Sequence, residues 1–181
     1  VKDDAKEKGI QLQQPLKQEN MMNAYPSVTH FALKKLEEKG LLKHVISQNV
    51  DSLHRKSGIP CHKLSELHGN YTIEYCKKCG SIYCRTYKTR ISDSKTHLTG
   101  RHCRICQYKE PLYDNIIQFG QDLDSMILSQ AINQSKMADL CLVMGSSLTV
   151  YPAADLPKKV FNQDKNQQSQ DQQSGNMVII N

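Results

Sequence analysis

Apolar positions along the chain switch between two periods. From Ser27 to Gly40, the apolar residues Val28, Ala32, Leu33 and Leu36 recur at helical spacing, with Ser27 placed to cap the start and Gly40 the end. Leu42 to Ile46 is a short apolar run that predicts a buried strand, and Ser47 to Asp51 follow it. Ser52 to Lys56 predicts a helical turn, broken by Gly58-Ile59-Pro60. Tyr71 to Tyr75 alternates as a half-buried strand does. Beyond residue 115 the pattern predicts a strand at Ile116–Phe119 and a helix from about Leu123 to Lys136. A strand at Asp139–Met144 follows, then a turn and helix over Val150–Lys159, and a last buried strand at Met177–Ile180. Residues 1–23 are polar and rich in Gln and Lys, and read as a loose segment or broken helix. Residues 162–175 read as a low-complexity loop without core-forming side chains.

Short strands alternating with helices predict an α/β fold, a partial Rossmann-like domain with a mostly parallel sheet. Residues 1–75 and 111–181 would form that domain, with residues 76–110 inserted as a small separate module. A chain of 181 residues is long enough for one such core and a satellite. The hydrophobic share, 38%, is low for a globular chain, and the polar stretches explain much of the deficit. No run of eighteen apolar residues exists, so no membrane span is expected. The first residues are charged, with no apolar h-region, and residue 1 is Val; the chain is expected to be processed, trimmed or a fragment. Net charge is +6, scattered without a long basic tract. That suits ordinary solvated surface, with weak nucleic-acid or chromatin contact as the second reading.

Four of the seven cysteines form two Cys-x-x-Cys pairs, Cys76/Cys79 and Cys103/Cys106. Such pairs bind zinc far more often than they form disulfides, which implies a reducing compartment, nucleus or cytosol. Four thiolates would leave no open position for water, so the expected Zn²⁺ is structural. Cys84 is a rival ligand better suited to a strand, Cys141 sits in an apolar strand, and Cys61 lies in a loop.

A second constellation stands where predicted strands end. Gln48, Asn49 and Asp51 follow one strand, and His68-Gly69 precedes the next. Amide and carboxylate groups suit an amide ligand and ribose hydroxyls, and a neutral imidazole can accept a proton from such a hydroxyl. Each residue also has a plainer reading: His68 as a satisfied helix-end histidine, Asp51 as a cap for the following turn, Gln48 and Asn49 as partners for backbone groups. Gly145-Ser146-Ser147 allows close backbone approach and offers hydroxyls to phosphate or ribose. Asn181 could bond a nucleoside hydroxyl or simply occupy a turn.

Several stretches together resemble the sirtuin family of NAD-dependent protein deacylases. They are Tyr25 to Leu33, Ser47 to Gly58, Leu64 to Asn70, the four cysteines, Thr99-Gly100-Arg101, Asp114 to Gly120, Gly145 to Leu148 and Val178 to Asn181. The resemblance covers nearly all of residues 24–160 and the last strand. Ser65-Glu66-Leu67-His68-Gly69-Asn70 and Leu98-Thr99-Gly100-Arg101 are most like the nuclear class IV branch.

The resemblance implies an enzyme that consumes NAD to remove an acyl group from a protein lysine, releasing nicotinamide and O-acyl-ADP-ribose. It makes His68 the general base. Asn49 and Asp51 would orient nicotinamide and ribose, with Gln48 near the reaction centre. Gly145, Ser146 and Ser147 would hold phosphate and ribose, and Asn181 the adenosine ribose. Residues Ile117 to Gly120 would pair with the substrate backbone. It further implies an acyl-lysine partner such as a histone, and a nuclear address with the cytoplasm as the alternative. The family's Gly-Ala-Gly turn and Asp-Phe-Arg segment have no counterpart here, so the chain alone is expected to be nearly inactive. Ser52 stands where a Gly is common, and Gln121 where a Glu is common. The reading from another class is a catalytically inactive sirtuin-like zinc module in a larger assembly; mono-ADP-ribosyl transfer would use the same site.

Overall fold

The computed structural model describes residues 23–91, 96–106, 109–161 and 175–180. The expectations for residues 1–22, for most of the 162–175 loop and for Asn181 lie outside the described residues.

Helix α1, Val28–Glu38, starts and stops where its capping residues dictate. The Ser27 backbone N–H donates to His30 Nδ1 at 3.1 Å, and the Ser27 hydroxyl lies 2.8 Å from the same nitrogen. At the other end Gly40 adopts φ 71°, and the N–H groups of Gly40 and Leu41 donate back to the carbonyls of Glu37 and Leu36. Only the missing Cβ makes that left-handed turn inexpensive.

Glu37 ties this helix to the next elements. Its two carboxylate oxygens accept from Lys34 and Lys63, each at 2.7 Å. Those hydrogen bonds hold its carboxyl down at about 2. A depressed carboxyl favours the folded state above its unfolded value of 4.5, and the contribution is lost as pH falls through 2. The stability gap between the natural chain and Glu37→Gln is therefore expected to close as acid unfolding is followed by circular dichroism from pH 4.5 to pH 2. A gap that persisted unchanged at pH 2 would remove the ion pairs as its cause.

Strand β1, Val45–Ser47, pairs in parallel with β2, Leu64–Glu66, in the register Val45 to Leu64 and Ser47 to Glu66. The crossover between them holds the one-turn helix α2, Leu53–Lys56, and a 3₁₀ turn at Cys61–Lys63. Val45, Ile59 and Leu64 form one buried cluster under Leu42. Leu67, Ala131, Ala153 and Leu156 form a second, packed with Ile46, Ile127 and Leu128.

Four antiparallel strands follow: β3 Ile73–Cys76, β4 Ile82–Cys84, β5 Leu98–His102 and β6 Pro111–Asp114, in the spatial order β4-β3-β6-β5. This sheet uses residues on both sides of the 76–110 span, Ile73–Tyr75 before it and Pro111–Asp114 after it.

Helix α3, Ser125–Lys136, begins two residues after the expected start, because Asp124 Oδ1 accepts from the N–H groups of Met126 and Ile127 and caps it there. Strand β7, Leu140–Met144, pairs in parallel with β8, Asn176–Ile180, over five residues. The architecture is thus α/β, with two parallel strand pairs and an inserted antiparallel module.

Three expectations need correction. Ile116–Phe119 is not a strand: Ile116 N–H donates to Asp114 Oδ1, Ile117 N–H to the His68 carbonyl and Gln118 N–H to Gln121 Oε1, so no ladder forms. The helix expected over Val150–Lys159 is two 3₁₀ segments, Ala153–Asp155 and Pro157–Phe161, because Pro157 lacks the N–H that a continuous α ladder needs. Strand β8 is not buried; Val178, Ile179 and Ile180 stay about half exposed.

Candidate active site

The two parallel strands β1 and β2 end side by side, and the site grows from those ends. The Leu67 N–H continues the ladder to the Ser47 carbonyl at 2.9 Å, and Tyr71 N–H reaches the Val50 carbonyl at 3.0 Å. The loop Gln48–Asp51 and the segment Leu67–Tyr71 are thereby stitched together. Ligand sites of open α/β sheets gather at such carboxyl ends.

His68 is the cross-link. Its Nδ1 lies 3.1 Å from the Gln48 carbonyl oxygen. With the proton on Nδ1 donated to that carbonyl, Nε2 is left as the accepting nitrogen. Gln48 and Asp51 are half-buried and Asn49 is exposed. Asp51 Oδ1 accepts the Leu53 N–H at 2.9 Å, one residue ahead of Ser52, the N-cap of α2. Asn49 donates its backbone N–H to Ser47 Oγ at 3.1 Å.

Behind this loop lies a buried polar network whose members sequence reasoning assigned no role. Asn70 is fully buried and donates through Nδ2 to Glu66 Oε1 at 2.5 Å. Its Oδ1 accepts from Ser52 Oγ at 2.5 Å, from the Thr72 N–H at 2.9 Å and from Thr72 Oγ1 at 2.8 Å. Glu66 Oε2 takes Arg55 Nε at 2.7 Å. Burial raises the Glu66 carboxyl, and the neighbouring Arg55 charge opposes that rise. Ser52 holds φ 67°, a left-handed conformation costing a non-glycine residue roughly 1–2 kcal/mol. Its two buried hydroxyl contacts, to Asn70 and Thr72, offset that strain. Glu66, a charged residue flanked by Leu64 and Leu67, is the sequence signal that pointed to the network.

Gly69 takes φ 80°, and a Cβ there would overlap the carbonyl oxygen of Asn115. Asn115 Oδ1 in turn accepts the Asn70 N–H at 3.0 Å. His68 is therefore set by close backbone packing on one side and by Gln48 on the other. His30 and His54 pack ring to ring at 4.8 Å.

Gly145, Ser146 and Ser147 stand at the end of the other parallel pair. Gly145 has φ 59° and donates to the Ile180 carbonyl at 3.3 Å. Ser146 Oγ accepts the Leu148 N–H, and Ser147 Oγ lies 2.8 Å from Thr149 Oγ1. These three are not linked by hydrogen bonds to the His68 cluster among the described residues.

The four cysteines converge. Their Sγ atoms all lie within 4.8 Å of one another, with Cys76 to Cys106 at 3.6 Å and Cys79 to Cys103 at 3.7 Å. Sulfurs about 2.3 Å from one tetrahedral ion stand about 3.8 Å apart, so the set fits Zn²⁺. The Cys106 N–H donates to Cys103 Sγ at 3.3 Å, and Tyr83 Oη lies 3.1 Å from it. Cys84 and Cys141 sit in β4 and β7, outside the cluster, and Cys141 is half-buried with its thiol pushed up by burial.

Parallel strand ends gathering an imidazole, an amide and a carboxylate, with an inserted antiparallel module whose four cysteines fit Zn²⁺, define a Rossmann-like α/β protein with a zinc-ribbon-like insert. The Sir2 family model matches residues 3–152, and the chain belongs to the Sir2 family. It is 40% identical over 158 residues to the NAD-dependent protein deacetylase SRT1 of Arabidopsis thaliana, covering 87% of this chain and 31% of that protein. It is 41% identical over 138 residues to an NAD-dependent protein deacetylase of Thermotoga maritima, covering 76% of this chain and 53% of that one. A solved structure of Sir2 with a p53 peptide and NAD+ superimposes with a TM-score of 0.61 at 35% identity, covering 88% of this chain and 59% of that chain. The chain thus spans between about a third and about a half of these curated relatives.

Proposed function

We propose that the protein carrying this chain is an NAD-dependent protein-lysine deacylase. The carrying observation is the hydrogen bond between His68 Nδ1 and the Gln48 carbonyl, which holds the imidazole beside Gln48–Asp51 where two parallel strands end. NAD, when bound, supplies the nicotinamide–ribose bond whose cleavage drives acyl transfer. The donor set fits that cofactor: the exposed Asn49 offers an amide, Asp51 a carboxylate, and Ser146 and Ser147 hydroxyls at the second strand end.

In this reading Asn49 and Asp51 orient nicotinamide and its ribose, and Gln48 lies by the reaction centre. His68 Nε2 accepts the proton from a ribose hydroxyl, so that hydroxyl can take the acyl group. Gly145, Ser146 and Ser147 hold phosphate and ribose, with Asn181 on the adenosine side. Ile117–Gly120, whose segment makes no ladder of its own, pairs with the substrate backbone. Cys76, Cys79, Cys103 and Cys106 hold the zinc, remote from the chemistry. The proposed organisation is a Rossmann-like body from residues 1–75 and 111–181 and a zinc module at 76–110, with β3 and β6 as its stems.

The substrate class is an acyl-lysine protein. A histone substrate and a nuclear address rest on the likeness of Ser65–Asn70 and Leu98–Arg101 to the nuclear branch. No helix among the described residues is long and apolar enough to cross a membrane.

The test is nicotinamide release from NAD by the protein isolated from its source, with and without acyl-lysine peptides. Peptide-dependent release with O-acyl-ADP-ribose as co-product is the expected result. Release that ignores the peptide would move the assignment to ADP-ribosyl transfer, and no release from folded, zinc-loaded protein would return it to an inactive module.

A further inference from the structure

Charge in this chain is segregated in a way its overall value hides. Residues 76–110 hold nine of the 24 Lys and Arg but only two of the 18 Asp and Glu. They therefore carry an excess of seven positive charges, and the rest of the chain one negative. Glu74 and Asp114, in the strands β3 and β6 that complete this sheet, withdraw two, and four thiolates on a divalent zinc would withdraw two more, which leaves the module with a net charge of about +3.

One face of the module opens into a cavity of about 550 Å³, lined by Arg85, Tyr87, Arg101, His102, Arg104 and Lys109 together with the zinc-cluster residues Cys103 and Cys106. No carboxylate lines it among the described residues. Two of its guanidinium groups are fixed from beneath. Glu74, fully buried, accepts Arg85 Nε on Oε1 and Arg101 Nε on Oε2, each at 2.7 Å. One carboxylate thus anchors two cations and leaves the pair with a net positive charge. Arg101 also donates to the Thr89 carbonyl and lies 5.4 Å from the Tyr87 ring centre. Arg85 sits 4.9 Å over the Tyr83 ring. Arg104 and Lys109 are exposed, and Tyr87 is 46% exposed.

We propose that this face binds single-stranded nucleic acid, with phosphates on Arg85, Arg101, Arg104 and Lys109 and a base on Tyr87. Guanidinium forks match phosphate geometry, and ordering them in advance removes an entropic cost that binding would otherwise carry. An exposed aromatic ring among such cations is the platform on which an unpaired base stacks. An acidic peptide would use the charges but not the ring. The surface does not involve the His68 cluster, so it stands or falls apart from the proposed activity.

The test is fluorescence anisotropy of the zinc-loaded chain with a labelled 20-nucleotide RNA, a DNA strand of the same sequence and its duplex, from 50 to 200 mM salt. Arg104→Ala with Lys109→Ala should lower the slope of log K against log salt by about 1.4, or about 0.7 for each single-strand phosphate that is no longer neutralised. Tyr87→Ala should weaken binding roughly 5- to 150-fold, the effect of removing one stacked base. Lys158→Ala with Lys159→Ala removes as much charge elsewhere and should change neither. Zinc content and circular dichroism are read on every variant, and Lys109→Ala alone serves if the double variant fails to fold. Equal weakening in the Lys158/Lys159 variant would overturn the site. So would tighter binding of the duplex, no binding at 50 mM salt, or displacement of the oligonucleotide by poly-glutamate at equal charge.

Discussion

Chelating zinc from the four-cysteine cluster is expected to unfold residues 73–114. Among the described residues its buried cluster is Cys76, Cys103 and Leu112, with Tyr83 and Cys106 packed against them, and Ile73 is buried at its edge. Three of those six side chains, Ile73, Leu112 and Tyr83, are apolar in any ordinary sense, far too few to offset the entropy of ordering some forty residues at about 1–2 kcal/mol each. A structural zinc contributes about 10–16 kcal/mol, which is as large as the whole stability of an ordinary domain. Cys103→Ser should have the same effect, because a serine oxygen replaces a buried ligand sulfur that also contacts Tyr83 Oη and the Cys106 N–H. The disruption should reach the candidate site through β6, since the Asn115 side chain and the Ile117 N–H brace Asn70 and His68. The readouts are zinc release, far-ultraviolet circular dichroism and amide dispersion by NMR. A metal-free chain that kept the amide pattern of β3 to β6 would sink the idea that zinc replaces a core.

Replacing His68 by Ala is expected to lower steady-state formation of O-acyl-ADP-ribose and deacylated peptide by the protein at its natural length roughly 10²- to 10⁴-fold, the usual size of a general-base contribution. The fold should survive. His68 is half-buried, and its side chain is held through Gln48's backbone carbonyl rather than through the buried Glu66–Asn70 network. Melting temperature and zinc content should therefore stay near those of the natural protein while turnover falls. Gln48→Ala keeps the same carbonyl, and so should leave His68 oriented. Turnover within threefold of the natural protein in the His68→Ala variant would remove the imidazole from the mechanism.

The parts of this fold that the sequence made legible are those governed by local rules. Helix α1 has helical spacing, a serine at its start and a glycine that can take φ 71° after its end. The cysteine cluster follows from two short spacings, and strands β1 and β7 from compact apolar runs. What stayed hidden depends on partners distant in the chain. Asn70 meets Ser52 eighteen residues away, and Glu74 meets Arg101 twenty-seven residues away; neither pairing leaves a periodic trace. Ile116–Phe119 is apolar enough for a strand, yet its N–H groups are claimed by Asp114, His68 and Gln121. Burial of β8 was inferred from composition, whereas burial depends on what packs against it, and Val178 to Ile180 remain half exposed among the described residues.

At the candidate site the residue types were legible and their join was not. His68 and Gln48 lie twenty positions apart, and only the parallel register of β1 against β2 brings them to one edge.

The close approach at Gly69 bears on how this family would age. The position is closed to every side chain by the Asn115 carbonyl and by its backbone angle, whatever the neighbouring imidazole does. A descendant that had lost all turnover but still folded would keep this glycine, while its histidine would be free to drift. A lineage holding glycine without histidine would therefore be a retired copy, and a shared glycine alone is no sign of a living enzyme.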